Sequence, residues 1–494
     1  MMSFRSFAAR ILAGVLVLGP LVSAPLGAQV PQSAAPAMTP QPAPMPTASG
    51  TPIPYPAYGS PAPDVAAQAP KAGVPATVTL DQATDIAIAQ SPAFASERAQ
   101  YRAIAAKYGA EKGALFPNVS ASGSITRSYG SGGSGSNSGG SGATPSPTTV
   151  VTSEGAHVDL TQLIFDGGRV LAGIRSAKES DIAGKDTLVR QLQTLAFNVA
   201  TAYYALLQSQ ATVIADNSIV RENETQENYV QAQIRTGAAA RSDLAAAQFA
   251  TAQARGALIT AQGQVIAAQA TFSTTLGLDA DSAVNPQVET SPTQVKTLAY
   301  PAALSLALQL RPDYLAAQHT VDSANQNLRF AKLARFPSIS GNASTGTQRT
   351  LIQTPAYTGP YSSSSSIGAT ISIPIYDQGQ TNYNVATAAS QLDQANADLL
   401  TTKQTVESNV RGALAELISA RAGYVQAQAE LSSAQINAQA TSARYRVGAA
   451  SITDITTADA NLATAQRDYV AAQYTERLDE ANYTYALGNA DLTL

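Results

Sequence analysis

After Pro117 apolar and polar residues alternate, with Val119, Ala121, Gly123 and Ile125 set against Asn118, Ser120, Ser122, Ser124 and Thr126. A period of two marks a strand with one apolar face. The alternation returns at Ala156, Val158 and Leu160 against His157, Asp159 and Thr161, and it runs to Phe165. A stretch rich in Gly and Ser, including Gly130 to Gly142, lies between the two. The pattern predicts a hairpin with strands at about 117–127 and 155–165 and a long tip. A second hairpin, at about 337–347 and 366–376, is carried by Ile339, Gly341 and Ala343 and by Ile367, Ala369, Ile371, Ile373 and Ile375. Tyr357 and Tyr361 fall in its loop.

Elsewhere the period is helical. A pattern opens at Leu80 and Asp81, breaks before Pro92 and resumes to Phe116, where Pro117 ends it. No proline interrupts residues 167–235 or 378–446. Leu188, Leu192, Leu195, Val199 and Leu206, matched by Val406, Val410 and Leu417, recur at coiled-coil spacings. Each segment predicts one helix of about 100 Å at about 1.5 Å per residue. Turns at Gly237 and Gly448 lead into return helices at about 242–276 and 453–487, which stop at Gly277 and Gly488. Asp166 and Asp377, just ahead of the long helices, are expected to cap them.

The chain carries this plan twice. Ser91-Pro92 and Phe116-Pro117 recur as Arg311-Pro312 and Phe336-Pro337 at an offset of 220. Asp166, Arg235, Gly237, Asp243, Leu276 and Gly277 recur as Asp377, Arg446, Gly448, Asp454, Leu487 and Gly488 at an offset of 211. The change of offset places the length difference in one loop of the hairpin, and the constant offset beyond it marks rigid elements. Two structural repeats follow, 77–290 and 291–494. Phe116, Phe165, Phe336 and Tyr376 occupy the four strand ends away from the loops, where a membrane barrel carries an aromatic girdle. Ordinary packing at a strand–helix junction is the other reading of each residue alone.

The N-terminus reads as a signal peptide over 1–28, with Arg5 and Arg10, an apolar run from Ile11 to Val22 and small residues to Ala28. A membrane anchor is the alternative, although the run is shorter than the roughly 20 residues that span a bilayer. Residues 29–76 are a Pro/Ala-rich linker, expected to be disordered. No other segment is apolar enough to cross a membrane as a helix, so a membrane role requires a β-barrel or surface association. Absence of cysteine excludes disulfides and cysteine chemistry, and a net charge of -4 excludes a basic nucleic-acid surface. With no Trp and abundant small polar residues, thin layers wetted on both sides suit the chain better than a deep core.

His157 falls on the polar face of a strand and His319 on a helix, far apart in sequence and without paired acidic or cysteine neighbours, so both are expected to be satisfied or solvated rather than metal ligands. No phosphate loop, nucleophile elbow or metal-binding helix motif is present. The chain is therefore not read as an enzyme, and no cofactor is expected.

Leu80-Asp81-Gln82-Ala83, Leu115-Phe116-Pro117, Phe165-Asp166-Gly167-Gly168, Arg235-Thr236-Gly237 and Tyr445-Arg446-Val447-Gly448 occur in this order. The sequence thereby resembles the outer membrane efflux protein family, the TolC-like exit ducts, over essentially everything after the linker. That resemblance implies a mixed α/β membrane protein: a homotrimer with four strands per protomer in a twelve-stranded transmembrane β-barrel, continued by a long periplasmic α-helical coiled-coil barrel. It implies an outer-membrane exit duct of a tripartite efflux or type I secretion system, fed by a periplasmic adaptor and an inner-membrane pump such as an RND or ABC transporter. Adaptor contact falls on Arg235, Gly237, Arg446, Gly448 and Ser451. Entrance and gating fall on Asp243, Tyr445 and Asp454, with Tyr445 and Asp243 as the closing contact. The family's second entrance aspartate falls on Thr457 and a further locking arginine on Ala450, which implies a weaker lock and a weaker cation block. Turn geometry and helix-dipole stabilisation of Asp243 and Asp454 account for the same residues without function. A secreted coiled-coil scaffold or adhesin is the alternative function.

Overall fold

The computed structural model describes residues 75–131, 148–288, 295–353 and 356–489. The signal peptide and most of the linker and the Gly/Ser-rich hairpin tip lie outside the described residues. In chain order the elements are β1 (Thr77–Val78), α1 (Leu80–Gln90), α2 (Pro92–Gly113), β2 (Asn118–Ser131), β3 (Thr148–Phe165), α3 (Arg169–Arg235) and α4 (Arg241–Thr275). There follow β4 (Asn285–Pro286), α5 (Tyr300–Leu310), α6 (Pro312–Leu333), β5 (Ser338–Gln353), β6 (Ala356–Thr358), β7 (Ser362–Ser372), α7 (Gln380–Arg446) and α8 (Ile452–Leu487).

α3 and α7 are each 67 residues long. Both start on the expected aspartates. Asp166 accepts the Gly168 and Val170 amides at 3.0 and 2.6 Å. Asp377 accepts those of Gly379 and Thr381 at 3.1 and 2.7 Å. Each carboxylate satisfies two otherwise orphaned N–H groups and places negative charge at a helix N-terminus. Among the described residues no helix is long and apolar enough to cross a membrane.

The main sheet runs β2-β3-β5-β7, antiparallel throughout, with β6 also paired to β5. Its register separates the faces. Val119, Leu160, Ala343 and Ile367 lie side by side in one row, and the adjacent row is Ser120, Asp159, Ser344 and Ser366 on the other face. The apolar face is exposed, Ile367 by 90%. Toward the loops it ends in a charge pair, Glu154 Oε2 accepting from Arg349 Nε at 2.7 Å. β2 and β7 are the sheet's open edges.

Two expectations are corrected, and one pair of short strands was not foreseen. β7 ends at Ser372 rather than near 376, because Pro374 has no N–H for the ladder; Ile373 and Ile375 therefore lie beyond the strand. α2 stops at Gly113, short of Phe116, with Ala114 to Phe116 in turns that lead to Pro117. β1 and β4, a parallel pair joining Thr77 to Asn285 and Val78 to Pro286, had no periodic signal at two residues each.

The core is split into equivalent parcels instead of one deep interior. In the first, Val199, Tyr203 and Leu206 of α3 meet Phe272 and Leu276 near the end of α4, with Ala83 of α1. In the second, Val406, Val410 and Leu417 of α7 meet Tyr483 and Leu487 of α8, with Ala303 of α5. Outside these two parcels α7 buries mainly alanines, among them Ala388, Ala395, Ala427 and Ala438, which allow close helix approach with little apolar bulk. Nearest the sheet the packing order is α2-α3-α6-α7; farther along it is α4-α3-α8-α7. Both layers are one helix thick and open at each end of the series.

Candidate functional site

The expected site residues gather at two helix–turn–helix tips. Both long helices exit by the same backbone device. Gly237 N–H donates to Ile234 O at 3.0 Å and Ala238 N–H to Gln233 O at 2.8 Å. Gly448 N–H donates to Tyr445 O at 2.9 Å and Ala449 N–H to Arg444 O at 2.8 Å. These are paired Schellman bonds, which require a left-handed residue at the position after the cap. Gly237 and Gly448 supply it with φ of 78° and 77°. A Cβ at either would meet nothing within 4 Å, so the demand for glycine is conformational and not steric. Arg235 and Arg446 close their helices where the macrodipole favours a cation. Both arginines, both glycines and Ser451 are exposed.

The return helices begin differently. At Ser451 the capping box is complete: Asp454 N–H donates to Ser451 Oγ at 3.2 Å, and Asp454 Oδ2 accepts Ser451 N–H at 2.8 Å and its hydroxyl at 2.9 Å. These bonds hold the exposed Asp454 carboxyl below its usual range. At the first tip the cap residue is Ala240, which has no side-chain acceptor, and the Asp243 carboxylate accepts from Ala240 N–H and Ser242 Oγ, each at 3.3 Å.

Tyr445 is buried between the tips among Val230, Ala247 and Ile455. Its ring meets Tyr229 edge-on at 6.1 Å. Burial pushes the Tyr445 phenol up, and the Asp243 carboxylate adds to that shift. The fold therefore brings the two residues into electrostatic range, though among the described residues no hydrogen bond joins them. Ala450 packs against the same cluster. Asp454 stays with its cap.

Behind the second tip a groove of about 720 Å³ opens between α3, α7 and α8, lined by Arg221, Glu222, Gln226, Arg446, Asp459 and Gln466 among others. Burial pushes the Asp459 carboxyl up to about 6, with Glu222 adding like charge. Arg467 Nε reaches the buried Asp216 at 2.7 Å and ties α8 to α3. Sequence reasoning missed these groups; each is a single acid or arginine on a long polar helix, and only the relative register of the helices brings them together.

The histidines divide. His157 lies 2.8 Å from Ser122 Oγ and 3.5 Å from Asp159. His319 was expected without an acidic partner, but α3 supplies one, with Glu179 Oε2 at 3.0 Å from Nδ1.

A family model described as "Outer membrane efflux protein" matches residues 83–278 and 303–489. The outer membrane efflux protein BepC of Brucella suis biovar 1 (strain 1330) is 25% identical over 334 residues, 67% of this chain and 71% of the relative. The outer membrane protein TolC of Escherichia coli (strain K12) is 26% identical over 350 residues, 67% and 69% of the two chains. Among solved structures, a membrane protein from Pseudomonas aeruginosa superposes with a TM-score of 0.70 at 22% identity, over 83% of this chain and 93% of that one.

Proposed function

The chain belongs to the outer membrane efflux protein family and is an efflux channel of the outer membrane with a periplasmic extension; from that premise we propose that three copies form the exit duct of a tripartite efflux or type I secretion system.

The observation that carries this reading is the alignment of open edges. The sheet ends at β2 and β7, the adjoining helical layer at α2 and α7, and the far layer at α4 and α7. Each layer presents an edge from the first half of the chain and an edge from the second, so a head-to-tail ring closes all three layers with one rotation. Unpaired strand edges cannot face lipid, and three copies of four main strands give twelve, an allowed barrel size. Exposed Leu400, Ile418, Val425 and Ile436 lie at helical spacing on α7, apolar surface of the kind a neighbouring copy covers. The exposed Val119, Ile125, Ile367 and Ile371 then face lipid, and the Ser/Thr-rich opposite face lines the lumen.

The tips form the periplasmic mouth in this assembly. Exposed Arg235, Gly237, Arg446, Gly448 and Ser451 meet the adaptor, and Tyr445 with Asp243 closes the mouth. Asp454 contributes fixed negative charge at the entrance while capping α8. Energy comes from the inner-membrane pump, and the duct is a passive conduit; the family is one of channels and not of enzymes. A scaffold or adhesin leaves the open edges of β2 and β7 without a purpose.

Because the chain has no cysteine, single cysteines placed in pairs along α4 and α7 report neighbours without background. Oxidation is expected to yield dimers and trimers and nothing larger. Monomers alone, or an open ladder of higher species, would contradict a closed trimer.

A further inference from the structure

Away from the tips, α3 and α6 are held in register by a buried serine clamp. Ser323 Oγ lies 3.0 Å from Ser176 Oγ and 2.9 Å from Ser180 Oγ. One turn along, His319 and Asp322 sit three residues apart on α6 and so share a face. Glu179 comes from α3. One ligand atom from each of Glu179, His319 and Asp322 lies within 4.8 Å of the other two.

We propose that Glu179, His319 and Asp322 form a binding site for a borderline divalent cation of the Zn²⁺ type, bridging the first and second halves of the chain. An imidazole with two carboxylates is a donor set that suits Zn²⁺ and its first-row neighbours, whereas carboxylates alone would suit Mg²⁺ or Ca²⁺. Metal–ligand bonds near 2.1 Å in a tetrahedral site set ligand atoms about 3.4 Å apart. Glu179 and His319 already approach to 3.0 Å, and rotation of the exposed Asp322 side chain closes the remaining gap. Glu179 and His319 are partly buried, at 23% and 32% side-chain exposure, which limits competing water. The fourth position stays open to solvent and gives the ion an exchange path. Asp186, farther along α3, lies within electrostatic range of His319 and adds negative field without being a ligand. A bound ion would cross-link α3 to α6 and stiffen the layer next to the barrel.

The alternative is a His–Glu ion pair without affinity for metal, and a titration separates the two. The full-length protein in detergent is titrated with Zn²⁺ by calorimetry at about pH 7.5, in excess Mg²⁺. The expected result is one saturable Zn²⁺ per chain, with affinity weakened by roughly tenfold or more in His319→Gln and in Glu179→Gln, and unchanged in His157→Gln. Co²⁺ should give a ligand-field absorption band in the wild type that is lost in both site variants. Helix content by circular dichroism confirms that the variants fold, and Asp322→Asn, at an exposed position, reads the same site if either partly buried variant does not. No saturable Zn²⁺ on folded wild type, displacement by Mg²⁺, or equal affinity in His319→Gln would overturn the assignment.

Discussion

At the α7–α8 tip Ser451 and Asp454 exchange three hydrogen bonds, the longest 3.2 Å. At the α3–α4 tip the same position holds Ala240, and Asp243 keeps two bonds of 3.3 Å. The exits from the long helices are otherwise the same, down to the Schellman bonds and a left-handed glycine. Two turns with one C-terminal geometry thus differ in how firmly the returning helix is pinned. The difference separates the roles of their aspartates. Asp454 is committed to its own helix start, whereas Asp243 is held by longer bonds within electrostatic range of the Tyr445 phenol, which in the proposed duct leaves it free to exchange partners as the mouth opens. Tyr445 is buried because it is the wedge that the second tip inserts against the first.

Removing that wedge should have the largest effect. Tyr445→Ala deletes a buried aromatic from a small cluster and is expected to cost about 3 kcal/mol of local stability, read as faster amide exchange at both tips. Exchange accelerated at the second tip alone would mean that the tips are not coupled through this ring.

A pH titration sharpens the contrast next. The Asp459 carboxyl is pushed up to about 6 in the folded protein by burial and by Glu222, so its ionisation disfavours the folded state above that pH. The penalty shrinks as pH falls through about 6 and is gone below the ordinary carboxyl range. Protection of α8 beside the groove should therefore increase between pH 7 and pH 5, and Asp459→Asn should remove most of that slope, the rest belonging to Glu222, which burial also pushes up. A slope undiminished in Asp459→Asn would assign it to another group.

The smallest effects come from exchanging the caps. Ser451→Ala should loosen the start of α8 by about 1 kcal/mol, and Ala240→Ser should tighten α4 by a similar or smaller amount. Hydrogen exchange at Asp454 and Asp243 amides checks both, and equal responses to the two substitutions would remove the asymmetry.

Much of this was legible in the sequence because each signal was local. Asp166 and Asp377 announced the long helices, Arg235-Thr236-Gly237 and Arg446-Val447-Gly448 announced their ends, and the alternation around Val119 and Leu160 gave the sheet faces. Pro374 is equally visible in the chain, and it ends β7 at Ser372 because it has no N–H for the ladder. The pairing of Glu179 with His319, and of Glu222 with Asp459, could not be seen. Those contacts depend on how helices distant in sequence slide against one another, which a polar, alanine-rich pattern leaves unspecified. The proximity of Asp243 to Tyr445 came from family resemblance, not from any pattern in either helix.

Single-channel conductance in planar bilayers tests the division between the tips most directly. Wild type, Asp243→Ala with Tyr445→Phe, and Asp454→Asn would be measured side by side. The account predicts discrete steps for all three, enlarged in the Asp243/Tyr445 variant, and for Asp454→Asn no enlargement but a weaker preference for cations. Steps enlarged by Asp454→Asn and unaltered by the double variant would contradict it.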